Sequence, residues 1–232
     1  MTRVALITAG GSGMGADAAR RLHADGFEVG ILSASGKGAA LAEELGGLGF
    51  TGSNLEPEDL KAFVDAALAR WGRIDVVVNS AGHGPKGDLL EVSDEDWHLA
   101  FDIFLMNVIR MARLVTPTMV AQKEGVIINI STFSALEPQL RFAVSNVVRA
   151  GLASFTKLFS DRYGADNVRM NNILPGFIDS LPIDPDRVRD VPLGRYGRME
   201  EISATIAFLA SPGAGYITGQ NIRIDGGATR SV

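Results

Sequence analysis

The sequence predicts an α/β domain built on a doubly wound parallel sheet, and three observations carry that prediction. Short apolar or β-branched runs alternate with longer helical patterns along all 232 residues, which is the signature of parallel βαβ units. The runs at 4–8 and 76–78 are almost continuously apolar, as strands are when helices cover both faces of a sheet. A glycine-dense turn follows the first of these runs at once and leads into a helical pattern.

Taken in order, strands are expected at about 3–8, 27–33, 49–53, 73–79, 125–131, 168–174 and 220–224, with helices filling the intervals. The first strand runs into Thr8-Ala9-Gly10-Gly11-Ser12-Gly13-Met14-Gly15, followed by a helix over 16–24. Glycines are needed there because a Cβ would hold the backbone away from a pyrophosphate, while the helix N-terminus offers free N–H groups and partial positive charge. This places a dinucleotide cradle on a Rossmann-type, three-layer α/β/α fold of about seven strands. No linker, repeat or low-complexity tract interrupts the chain, so residues 1–232 read as a single domain. The loop at about 178–195, dense in proline and charge, reads as a short substrate lid.

Composition narrows the function. Hydrophobic residues make up 46% and charged residues 21% of the chain, as in a globular protein, and no apolar run is long enough to span a bilayer. The start, Met1-Thr2-Arg3 and then strand, lacks the apolar region and cleavage site of a signal peptide, which leads us to expect a cytoplasmic protein. There are no cysteines and only three dispersed histidines, so thiolate chemistry is excluded and no metal site is expected. A net charge of −5 without any basic stripe argues against nucleic acid as a partner and leaves a small-molecule substrate.

Further segments arrive in the order found in the short-chain dehydrogenase/reductase family, which the chain resembles over nearly its whole length. Residues 8–15 resemble its Thr-Gly-x-x-x-Gly-x-Gly, with Ala9 for the first glycine; Asn79-Ser80-Ala81-Gly82 resembles its Asn-Asn-Ala-Gly, with Asp75 as the usual acid of that strand. Pro175-Gly176 with Ser180 is similar to the segment that meets the nicotinamide carboxamide, and Ile224-Asp225-Gly226-Gly227 to the C-terminal signature. The resemblance implies an NAD(P)(H)-binding oxidoreductase acting on a small carbonyl or alcohol. Asn54 stands where the family often has an acid near the adenine. An acid after strand two would bind the adenosine 2′-hydroxyl and repel a 2′-phosphate; this chain has Ser33, Ser35 and Lys37 there, so NADP(H) is favoured over NAD(H).

The family's chemistry rests on an Asn, a Ser and a Tyr-x-x-x-Lys pair. Counted from Trp97, the Asn position falls on Phe104, and Thr132 takes the serine place with Ser131 beside it. Phe142 and Asn146 take the Tyr and Lys positions in this register, which makes the site atypical: phenylalanine moves no proton and a neutral amide lowers no neighbouring pKa. The interval from Thr132 to Phe142 is also shorter than the family's usual one by about three residues. Residues 142, 146 and 149 share a helix face, so Arg149 is a candidate to restore positive charge near the cofactor ribose. His83, at the lip of the site, is the candidate acid or base for neutral pH. Two rivals remain: a catalytically silent dinucleotide-binding or regulatory protein, and a non-redox lyase or dehalogenase on the same scaffold. The small-residue helix at 147–153 and the long helix through Met106 and Met111 resemble the pair with which family members form four-helix interfaces, implying a homodimer or homotetramer.

Overall fold

The computed structural model describes residues 2–180 and 182–231; Met1, Leu181 and Val232 lie outside the described residues. Seven strands form one sheet: β1 Val4–Thr8, β2 Glu28–Ser33, β3 Leu48–Thr51, β4 Val76–Asn79, β5 Gly125–Ile130, β6 Val168–Pro175 and β7 Asn221–Ile224. Their order is β3-β2-β1-β4-β5-β6-β7, and every neighbouring pair is parallel. Each strand falls where the apolar runs put it. The chain winds outward in both directions from β1 and β4, so the crevice outside their C-terminal ends is the topological switch point where ligands bind in such sheets.

Among the described residues eight α-helices accompany the sheet: α1 Gly13–Ala24, α2 Lys37–Glu44, α3 Pro57–Trp71, α4 Asp94–Phe101, α5 Asn107–Gln122, α6 Ala143–Tyr163, α7 Pro185–Val188 and α8 Met199–Leu209. Alternation along each strand divides the core. Ala5, Ile7, Val76, Val78 and Ile128 pack against α1, α2 and α8, whereas Val4, Leu6, Val77 and Ile127 pack against α3, α5 and α6. Sequence explains the helix ends. Pro57 opens α3 and Gly72, at φ 67°, closes it. The Ser93 hydroxyl accepts from Asp96 N at the start of α4, whose first turn is acidic.

Two local features shape what lies above the sheet. Between α4 and α5 the chain takes a π-helical turn over Asp102–Met106, the wider i→i+5 winding that is rare and tends to occur at functional sites. Phe104 sits in that turn. Across the sheet, Asn79 Nδ2 donates to Asn129 Oδ1 (2.9 Å), Asn129 Nδ2 to Asn172 Oδ1 (2.8 Å) and Asn172 Nδ2 to Asn221 Oδ1 (2.8 Å), with Thr156 of α6 also donating to Asn172 Oδ1. These four asparagines occupy one register row of β4 to β7, so a polar ladder runs beneath α6 through an otherwise apolar layer. The 178–195 segment is not a bare loop: Ile178 bridges Gly197 in parallel fashion and α7 lies within it.

Candidate functional site

The glycine turn is a tight cradle. Ala9 has φ 48° and Gly13 φ 55°, so the backbone passes twice through the left-handed region between β1 and α1. A Cβ on Gly11 would lie 2.5 Å from Ser33 Oγ and 3.2 Å from Gly38 N, so the loop packs closely on the end of β2 and a larger residue would force Ser33 to move. Ser12 is the extended residue before α1 and its side chain caps nothing, which leaves the first N–H groups of the helix without a side-chain partner. The adjoining strand ends are tied together by Thr8, whose hydroxyl donates to Ser80 O (3.2 Å) and accepts from Ser80 N (3.3 Å). Asn54 Nδ2 reaches the same Ser80 carbonyl (3.3 Å). The buried Asn79 holds its ladder with Nδ2, while its Oδ1 is without a partner among the described residues.

From Met14, Ala81 and Gly82 a cavity of about 430 Å³ opens along the crevice to Pro175, Gly176 and Ser180. Gly10, Gly11, Gly13 and Gly15 lie at the adjoining turn rather than in the cavity wall, as do the adenine-side candidates Ser33, Ser35, Lys37 and Asn54. Of these, Ser33 is buried and its hydroxyl is engaged by Ser35, through the Ser35 carbonyl at 2.9 Å, leaving Ser35 and Lys37 exposed.

The other half of the cavity is walled by β5, the π turn and α6. Ser131 and Thr132 follow β5; Thr132 Oγ1 lies 3.1 Å from Ser134 Oγ, and the buried Ser131 Oγ has no partner among the described residues. Phe142 lines the cavity but precedes α6, ending a short 3-10 turn. Within α6 it is Ser145 and Arg149, one turn apart, that reach the cavity. Asn146 is turned away: it is buried, its Nδ2 donates to Gln139 O at 2.9 Å, and it does not line the cavity. The expected face of 142, 146 and 149 is therefore not the face presented, because the helix begins only at Ala143.

Arg149 is the most constrained group here. It is 8% exposed, donates from Nη1 to Ile130 O (2.9 Å), and stacks its guanidinium 4.3 Å above the Phe104 ring. Nε finds no partner, and no carboxylate pairs with it among the described residues. Burial alone pushes its pKa down to about 10. The Phe104 ring in turn lies so close to the 82–87 loop that a Cβ on Gly84 would fall 2.5 Å from it. His83 is exposed at the lip.

Two contributors lie outside the residues expected from the sequence. Tyr196, beyond the lid segment, is buried in the cavity wall, stacked on Phe177 with centroids 5.7 Å apart, and its phenolic oxygen accepts from Asp184 N (3.1 Å). Ser145 is a lone serine amid valines, marked in the sequence by nothing but its spacing of thirteen from Thr132, and the helix direction turns it to the cavity. The candidate interface is split: Met111 is fully buried on the sheet, while Phe101, Val147 and Leu158 point outward. No helix among the described residues is long and apolar enough to cross a membrane, and no cluster there could hold a metal ion.

Known proteins are similar to this chain in sequence. The family described as Enoyl-(Acyl carrier protein) reductase matches residues 8–229. Among curated relatives, the 3-oxoacyl-(acyl-carrier-protein) reductase FabG of Chlamydia muridarum is 34% identical over an alignment of 241 positions, gaps included, covering 98% of this chain and 97% of the relative. The 3-oxoacyl-(acyl-carrier-protein) reductase of Synechocystis is 33% identical over 238, covering 97% and 96%. The FabG of Thermotoga maritima is 34% identical over 180, covering 73% and 72%.

Proposed function

The chain belongs to the short-chain dehydrogenase/reductase family, and from that premise we propose that it is an NAD(P)(H)-dependent oxidoreductase acting on a small carbonyl or alcohol through an atypical site. The observation that carries this reading is the crevice itself: a glycine cradle in which a Cβ on Gly11 would press on Ser33, beside an unpartnered Asn79 Oδ1, at the switch point of the sheet. These residues fit a dinucleotide, with Thr8 and Gly10 to Gly15 for the pyrophosphate, Asn79, Ala81 and Gly82 beside the ribose, and Pro175, Gly176 and Ser180 for the carboxamide. Ser35 and Lys37 favour NADP(H), since an exposed hydroxyl and ammonium suit a 2′-phosphate.

When bound, the nicotinamide supplies a hydride. The chain's own residues must then hold the substrate oxygen and manage its charge. Thr132 and Ser131 sit at the end of β5, where a hydroxyl can orient that oxygen. We read Ser145 and Arg149 as the polar pair of α6, in place of the Phe142 and Asn146 register. Thirteen positions separate Thr132 from Ser145, so a shift of three residues removes the shortening that a register on Phe142 requires. Ser145 donates a hydrogen bond but is too weak an acid to replace a phenol, and Arg149 supplies fixed positive charge. Protons come from His83 or water, and the 178–195 segment, with Arg187 and Tyr196, covers the substrate. A homodimer or homotetramer would form through the outward faces of α5 and α6.

A catalytically silent dinucleotide-binding protein is the second reading, favoured by the phenylalanines at 104 and 142. Fluorescence titration with NADPH and NADH, followed by reduced-nicotinamide absorbance in the presence of carbonyl compounds, tests both. Saturable binding with slow carbonyl-dependent oxidation supports the enzyme. Binding without any turnover supports the silent protein, and no saturable binding at millimolar dinucleotide removes both.

A further inference from the structure

The substrate half of the cavity has a charge sign of its own. His83, Lys86, Arg141, Arg149 and Arg187 all line it, and no aspartate or glutamate does among the described residues, although the whole chain carries a net charge of −5. Arg187 is paired with Asp184 at 3.1 Å, and Asp190 lines a smaller adjoining cavity beside Arg141 and Arg187. Lys86, Arg141 and Arg149 make no ion pair among the described residues. Arg149 is the informative one, because a buried charge is costly unless paired, and protein supplies it only the Ile130 carbonyl and the face of Phe104. Its Nε and the neighbouring Ser131 Oγ are both buried and unpartnered, and both residues contribute to the cavity lining. Around these groups stand five aromatic rings, Phe104, Phe133, Phe142, Phe177 and Tyr196.

A neutral ketone or alcohol leaves the Arg149 charge uncompensated. So does a ribose diol, which can accept a hydrogen bond but brings no charge. A carboxylate satisfies it, because it accepts a charge-assisted N–H bond from the guanidinium and cancels the charge in the same contact. We propose that this cavity selects an anionic substrate, a carbonyl compound carrying a carboxylate on an apolar body, with the carboxylate bound by Arg149 and the body packed among the aromatic rings. The proposal deepens the oxidoreductase reading and rests on it only for the carbonyl.

The experiment is calorimetry of the NADPH-saturated protein with benzoate and with benzamide, which match in size and shape and differ in charge. Benzoate is expected to bind about tenfold tighter than benzamide, and Arg149→Gln, again kept saturated with NADPH, to erase that preference. Equal affinities in the wild type, or a preference that survives Arg149→Gln, overturn the proposal. A loss of NADPH affinity in Arg149→Gln with the benzoate preference kept assigns the guanidinium to the cofactor and also overturns it. Should Arg149→Gln fail to fold, Arg149→Lys carries the test: it must weaken benzoate and leave benzamide unchanged. If NADPH does not bind at all, the oxidoreductase reading fails on its own, and the same comparison in the free protein still decides whether the cavity prefers an anion.

Discussion

The two halves of the crevice are built from different material. The half at the β1–α1 turn is a backbone construction: left-handed φ at Ala9 and Gly13, a Gly11 pressed onto Ser33, and helix N–H groups without a side-chain cap. The half between the π turn and α6 is a side-chain construction, in which Phe104, Thr132, Ser145 and Arg149 converge from three elements. Backbone geometry restricts the residue at each step, so the first half keeps a readable motif. A side-chain site can change its members while its helices stay in place, so residue identities there are a weaker guide than those of the turn.

Restoring the side-chain half alone separates the two most strongly. Ser145→Tyr with Arg149→Lys is expected to raise carbonyl reduction at least about 100-fold over wild type, because a positioned acid contributes roughly 10²- to 10⁴-fold. The assay is NADPH oxidation with a panel of small ketones. Phe142→Tyr with Asn146→Lys is expected to give no gain, since Asn146 is turned from the cavity toward Gln139. A gain from the second pair and none from the first would return the catalytic register to Phe142 and Asn146.

Beneath both halves lies the asparagine ladder, and Asn129→Ala tests whether it carries the strand ends. Asn129 is 1% exposed and bonds to both Asn79 and Asn172. Its removal should cost about 3 kcal/mol in urea unfolding, from stranded buried partners. A loss below about 1 kcal/mol would mean that water or side-chain rearrangement satisfies the row.

A smaller effect probes the adenine side. Lys37→Asp should weaken NADPH about tenfold while changing NADH little, because an ammonium that attracts the 2′-phosphate is exchanged for a carboxylate that repels it. Equal effects on both would make Lys37 a helix-start charge only. The smallest effect belongs to Ala9. Its φ of 48° suits glycine, so Ala9→Gly should stabilise the fold by up to about 1 kcal/mol, read from the unfolding midpoint.

The same contrast explains what the sequence makes legible. All seven strands, the glycine turn and the strand-end motifs can be read from it because apolar period and turn chemistry mark them locally. The ladder cannot, since Asn129, Asn172 and Asn221 each look like an isolated polar residue until register aligns them. On α6, Phe142 resembles tyrosine in shape and draws the register to itself. The spacing of thirteen from Thr132 points to Ser145 and Arg149 instead, and the start of the helix at Ala143, with Asn146 bonded back to Gln139, turns that face to the cavity. Tyr196 reaches the wall through the Ile178–Gly197 bridge, a tertiary event with no sequence signal.

If both halves serve one ligand-binding crevice, a crystal structure of the NADPH complex shows it without intermediate steps. The pyrophosphate is expected on the Gly10 to Gly15 turn, and the nicotinamide ring between Pro175-Gly176 and Thr132, facing Ser145 and Arg149. A dinucleotide bound elsewhere, or a nicotinamide ring excluded from the Arg149 side of the cavity, would contradict the single crevice.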